Sequence, residues 1–316
     1  MIKVITQLTI LMAALLQPTT ALADECKEVS FGAVSWTDVQ ATTATAETLL
    51  TYLGYQVNTE KLSVPEVYQK LEKGEVDIFL GNWMPTMEPI LQPYLESGSV
   101  EVLGENLKGA KYTLAVPSYV YEAGVKSFAD IARFKDKFKN DLYGLERGND
   151  GNALLLDIIA KNDFALGQFT LIELPERLML HQVKRHIRDG DWIAFLAWAP
   201  HPMNEMHDIR YLSGGDEYFG PNLGGATVST NTRTGYRDAC PNVAKLLDNL
   251  EFSLSMEGEL MNMMLYEFVP GDRAARDWMF RHPETVAQWL EGVTNQQGKA
   301  VDPAKLAAKM RLTVNN

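Results

Sequence analysis

Three tryptophans share one kind of setting. Trp36 follows the strand-like run 29–35 and precedes Thr37-Asp38, Trp83 follows the apolar stretch 74–82 and precedes Met84-Pro85, and Trp198 ends the run 192–198 before Ala199-Pro200. Each reads as a ring delivered at the carboxyl end of a strand, which in open α/β sheets is where ligands bind. One such Trp alone is more readily a core or rim residue. Three in the same setting point to an aromatic box, with Tyr112 as a further wall. Ring faces carry negative potential and attract a cation that offers no N–H, at roughly 0.5 to 2 kcal/mol per ring. The predicted chemistry is therefore capture of a quaternary ammonium ion. Asp38, two residues beyond Trp36, adds a carboxylate that could accept a ligand hydroxyl or attract the cation. It is equally placed to N-cap the helix that follows.

Little else in the chain carries chemistry. There is no GxxxxGK[ST], GxSxG or HExxH motif. His201, Glu205 and His207 do not share one helical face, and Pro200 and Pro202 flank the first of them, so this cluster reads as a surface loop. His181 and His186 read as solvated or partly buried, and Trp278 and Trp289 as core. No Ser/His/Asp or Cys/His set stands out. The expectation is a binding protein without cofactor or metal; a carboxylate-using enzyme acting on quaternary amines is the alternative from another class.

The formal net charge of -12 argues against nucleic acid as a partner. At the N-terminus, Lys3 is the only charge before Asp24, residues 4–16 are mostly apolar, and Ala21-Leu22-Ala23 has the form of a cleavage site. This predicts an exported chain whose signal peptide, residues 1–23, is removed after Ala23. No later apolar run is long enough to span a membrane. Two cysteines remain, Cys26 and Cys240. In an exported protein they are expected to pair, two free thiols being the alternative. A bond closing so long a loop is worth about 5 kcal/mol in the chain-entropy model. It would also place both ends in one lobe.

The elements that must position these residues alternate. Strand 29–34, helix 39–53 ending at Gly54, strand 55–62, helix 64–73, strand 74–79 with its exit loop 80–85, helix 87–95 and short strand 100–103 predict a parallel sheet with helices on both faces. A second unit starts at 111–117. It continues through helix 127–134, strand 142–145, the polar loop 146–152, helix 153–161, strand 169–172, helix 175–188 and strand 192–198. A strand at 223–229 returns the chain, and the remainder reads as tail helices. The fold class is α/β, two-lobed, with hinge crossovers near 110 and 215. Residues 24–111 and 217–316 form a discontinuous first lobe and residues 112–216 a second. This is the hinged architecture of periplasmic binding proteins.

Five stretches carry a closer resemblance: Val34-Ser35-Trp36-Thr37-Asp38, Gly81-Asn82-Trp83-Met84-Pro85, Lys111-Tyr112, Gly148-Asn149-Asp150-Gly151-Asn152 and Leu196-Ala197-Trp198-Ala199-Pro200. In this order and spacing the mature chain resembles the periplasmic glycine betaine/choline-binding family of bacterial ABC importers, its choline binders in particular. The resemblance implies a box of Trp36, Trp83, Tyr112 and Trp198 around a trimethylammonium group, with Asp38 and Asn149 as partners of the ligand hydroxyl. It implies a Cys26–Cys240 disulfide. It also implies a monomer in the periplasm that captures choline and passes it to a membrane permease powered by an ATPase. The rival ligand is glycine betaine, whose carboxylate an ionised Asp38 would repel. Arg147 would favour betaine if its guanidinium entered the cleft.

Overall fold

The computed structural model of the chain describes residues 26–314, so the predicted signal peptide and its cleavage site lie outside the described residues. Nine strands form one continuous mixed sheet: β1 (Glu28–Ala33), β2 (Gln56–Lys61), β3 (Ile78–Met84), β4 (Val100–Pro117), β5 (Asp141–Gly144), β6 (Thr170–Glu173), β7 (Phe195–Ala199), β8 (Ile209–Tyr211) and β9 (Gly225–Arg233). Their order is β2-β1-β3-β9-β4-β7-β5-β6, with β8 paired to β4. At one end β1 pairs in parallel with β2 and β3; at the other β5 pairs in parallel with β6 and β7. Helices flank the sheet, as the α/β reading required.

The centre departs from the all-parallel expectation. β9 runs antiparallel to both β3 and β4, and β4 antiparallel to β7. The short strand expected at 100–103 and the separate strand at 111–117 are a single 18-residue strand, β4. Its pairing with β9 shifts register between Val102 and Gly104, Glu105 and Leu107, and Leu107 and Ala110. Bulges of this kind let one strand bend through the polar stretch that separates two apolar runs in sequence. β4 and β9 thus carry the chain between the two ends of the sheet.

Two local expectations also change. The strand expected from Gly74 begins at Ile78 and runs on through Trp83, so the box residue lies inside β3 near its carboxyl end. The next helix, expected over 87–95, spans Glu88–Glu96. Gly81 falls in the expected exit loop 80–85. It lies within β3, where an added Cβ would meet Val39 Cγ2 at 2.5 Å, so its role is close approach of strand to helix.

The tail helices cover the β1–β3 end. Helices Leu254–Leu265 and Gly271–Arg281 pack on α1 (Thr37–Leu53). Cys26 and Cys240 are joined across 214 residues with an S–S distance of 2.11 Å, as expected for an exported chain. The bond pins the start of the described chain, beside β1, to the short helix Tyr236–Ala239 that follows β9.

Candidate functional site

The register of the central strands builds the first wall. Tyr112 of β4 lies directly opposite Trp198 of β7, so both rings project on one face. Trp83 of β3 faces Val228 of β9. Its ring meets Tyr112 edge to face, with centroids 5.9 Å apart at 63°. Trp36 occupies the N-cap position of α1 with extended backbone. Asp38 is then the second residue of that helix, and the expectation that it caps α1 is corrected. Its carboxylate turns instead to the neighbouring strand and accepts a hydrogen bond from Trp83 Nε1 at 3.0 Å. The close approach at Gly81 brings these two together.

On the opposite side, Asn149 is the N-cap of helix Asp150–Lys161, which starts earlier than residue 153. Its side-chain oxygen accepts from Asn152 N at 2.9 Å and from the Tyr112 hydroxyl at 2.9 Å. The polar loop is therefore a cap that also orients a ring. Gly151 makes this possible: an added Cβ would lie 2.2 Å from the Tyr112 hydroxyl.

These residues meet at one narrow pocket, lined by Trp36, Asp38, Trp83, Tyr112, Leu145, Asn149 and Trp198. All six residues expected from sequence are brought together, each buried and none more than 4% exposed. Leu145, at the end of β5, was not anticipated; it is an unmarked apolar residue in an apolar strand. The lining contains no cationic side chain. Arg147 is 93% exposed and its guanidinium lies 3.8 Å from Glu173, away from the pocket.

Acidic groups crowd behind the rings. Glu146 accepts from Trp36 Nε1 at 2.6 Å. Glu176 is buried against Thr37, and Asp150 is buried at the start of its helix. Burial, reinforced by the charge of Glu176, pushes the Asp38 carboxyl up to about 7, although the Trp83 bond pulls the other way. Burial likewise lifts Asp150 to about 6, and it raises Glu146. Asp38 Oδ1 is buried with no hydrogen-bond partner among the described residues. A desolvated pocket with ring faces for walls and a buried carboxyl beside them is chemically suited to an organic cation.

His201 corrects a further expectation. It is not in a surface loop but is buried, with its ring against Trp198 (centroids 4.6 Å apart) and Nε2 3.2 Å from Glu176 Oε1. His186 is also fully buried rather than partly solvated. Among the described residues no group of three or more His, Cys, Asp or Glu could hold a metal ion. Glu146 and Glu176 escaped the sequence reading. Each follows a strand end or a proline, but nothing local shows that a Trp or a helix start from the other end of the sheet comes to meet it.

A mixed sheet whose two ends meet over a ring-lined pocket defines a two-lobed substrate-binding protein. Residues 27–281 match the OpuAC family, the substrate-binding domain of ABC-type glycine betaine transport systems, and the chain belongs to that family. The structure of an ABC-transporter choline binding protein in complex with choline is 48% identical, with a TM-score of 0.87 over 92% of this chain and 98% of that one. Lactococcal OpuAC, closed and complexed with glycine betaine, is 25% identical, with a TM-score of 0.75 over 83% of this chain and 99% of that one. An uncharacterised protein, ORF1 of Chromohalobacter salexigens, is 49% identical over 148 residues, 47% of this chain and 96% of the relative. The chain is thus a substrate-binding protein of the glycine betaine/choline class of ABC transporters. No helix among the described residues is long and apolar enough to cross a membrane.

Proposed function

We propose that this pocket binds choline. Trp36, Trp83, Tyr112 and Trp198 would enclose the trimethylammonium group, and Asp38 and Asn149 would take the hydroxyl. The observation that carries this reading is the pairing of four ring walls with the open Oδ1 of Asp38, while Arg147 points to solvent. A trimethylammonium with a hydroxyl satisfies that set. A carboxylate in the same place would face Asp38 with no cation to offset it. The relative solved with choline supports the same choice.

The mature protein would begin at Asp24, work in the periplasm as a monomer, and deliver its ligand to a membrane permease. Residues 24–111 with 217–316, and residues 112–216, would move as two lobes about β4 and the segment before β9. Each lobe supplies part of the box, so ligand binding would favour the closed arrangement by its difference in affinity for the two states. Choline has few atoms, and a ceiling of about 1.5 kcal/mol per heavy atom limits its affinity to tens of nanomolar.

Glycine betaine is the second reading, supported by the family description and by the lactococcal complex. Calorimetric titration of residues 24–316 with each ligand separates the two. Tight choline with weak or absent betaine is expected. Tighter betaine would move the polar end of the ligand to backbone donors and overturn the role given to Asp38.

A further inference from the structure

Glu176 lies outside the pocket lining, yet it bonds to elements on both sides of the cleft. It stands at the start of helix Glu176–Asp189, beside the β5–β7 end of the sheet, and is 4% exposed. Oε2 accepts from the Thr37 backbone N–H at 2.8 Å, and Oε1 accepts from the Thr37 hydroxyl at 2.9 Å. Thr37 is the first residue of α1, at the other end of the sheet, and sits between Trp36 and Asp38. The free N–H groups and dipole of that helix start favour a carboxylate there.

The same carboxylate reaches a third wall. Oε1 is 3.2 Å from His201 Nε2. His201 Nδ1 accepts from Met203 N at 2.9 Å, which leaves the ring proton of a neutral imidazole on Nε2, where it can donate to Glu176. The imidazole in turn packs edge-on against Trp198. One buried acid thus links the turn carrying Trp36 and Asp38 to the loop behind Trp198.

We propose that Glu176 and His201 are a latch between the lobes: positioning residues that hold the occupied cleft shut and set how long the ligand stays, without touching it. The proposal rests on the quaternary-amine reading above. The bonds to Thr37 join opposite ends of the sheet and are made only when those ends meet. Their free energy therefore counts toward the closed state alone, and their loss appears in opening. The ligand escapes on opening, so the dissociation rate carries the effect.

The test is stopped-flow binding of choline and of glycine betaine, read by tryptophan fluorescence, with Glu176→Gln, His201→Gln, Thr37→Val and the Thr37→Val/Glu176→Gln pair. Circular dichroism first establishes that each variant is folded. Glu176→Gln is expected to raise the dissociation rate about tenfold or more, the size of one lost charge-assisted bond, with the association rate within about twofold. Thr37→Val should add little once Glu176 is gone, because both act on one contact. Unchanged dissociation, a loss confined to association, or fully additive effects in the pair would overturn the latch. If the wild type binds neither ligand, the ligand reading fails by itself. The latch is then judged by hydrogen exchange at the Thr37 amide of the ligand-free protein: faster exchange in Glu176→Gln supports it, and unchanged exchange sinks it.

Discussion

The molecule contains two groups of tryptophans that use their rings in opposite ways. In the tail helices, Trp278 and Trp289 stack at 5.9 Å and 24°, and His282 lies flat on Trp278 with centroids 4.0 Å apart. Phe252 meets Trp289 edge-on, and the Trp289 N–H goes to the Glu251 carbonyl at 3.2 Å. There the faces cover one another. In the cleft, Trp36, Trp83 and Trp198 do not stack on each other; they line one pocket instead. Trp36 and Trp83 spend their N–H groups on carboxylates, Glu146 and Asp38, so negative charge stands behind the ring edges. The tail rings cover one another's faces, and Trp289 spends its N–H on backbone. At the pocket, two of the rings have their edges tied down by acids, and the faces turn to the pocket instead of to one another.

The largest effects should separate these groups completely. Trp278→Ala removes a ring that fills the tail, and it is expected to cost about 3 to 5 kcal/mol of stability with choline affinity nearly unchanged. Trp83→Ala and Trp198→Ala should each weaken choline binding roughly thirty- to a hundredfold, the sum of a lost cation–π wall and its apolar contact, in a protein that remains folded. Chemical denaturation and calorimetry on the same samples read both quantities. Wild-type affinity in a folded Trp83→Ala protein would place that ring with the core group.

A smaller effect sharpens the account of how a ring is aimed. Gly151→Ala puts a methyl 2.2 Å from the Tyr112 hydroxyl, so the ring must move and its bond to Asn149 must stretch or break. Affinity should fall about tenfold, since one wall is displaced rather than removed. Gly258→Ala, in helix Leu254–Leu265 where a Cβ meets nothing within 4 Å, is the control and should stabilise by about 0.5 to 1 kcal/mol. Equal, small changes at both glycines would mean that Tyr112 is not held by this contact.

These contrasts also show what could be read from the chain. The box was legible because each site Trp comes with a local signature, an apolar run before it and, at Trp83 and Trp198, a proline two residues after it. Trp278 and Trp289 lie in helical stretches without that signature. The role of Asp38 was not legible, because its local context fits a cap as well as a site, and Trp83 from a distant strand decides between them. His201 was misplaced for the same reason: two flanking prolines suggest a loop, while its burial depends on Glu176 arriving 25 residues away in sequence. The unity of β4 was hidden by the polar stretch 104–109, since a strand bent by bulges breaks the alternation that announces a strand.

Asp38→Asn tests whether the acid behind the rings matters by its charge. Asn keeps an oxygen for the Trp83 N–H but loses the negative charge beside the cation. Choline affinity should drop about tenfold, comparable to a charge-assisted bond, and betaine affinity should drop less because its carboxylate no longer meets a like charge. Titration of both ligands decides; equal losses would assign Asp38 to holding Trp83 and nothing more.

The smallest effect on affinity, and the most specific to the cleft, is that of pH. Burial holds the Asp38 carboxyl at about 7 and Asp150 at about 6, against about 3.9 for an exposed aspartate. Below about pH 4 both carboxyls are protonated whether the cleft is open or shut, and closure carries no charge penalty. Between about 4 and 7 the open form ionises while the shut form stays protonated, so the ligand-free closed state loses stability as pH rises, and the loss is complete above about 7. A bound cation pairs with the ionised acid and removes the penalty. Small-angle scattering of the ligand-free protein should therefore show a more compact particle at pH 5 than at pH 8, and saturating choline should erase the difference. Identical ligand-free scattering at the two pH values would mean that closing the cleft does not desolvate these carboxylates, and the contrast between the two sets of rings would then rest on geometry alone.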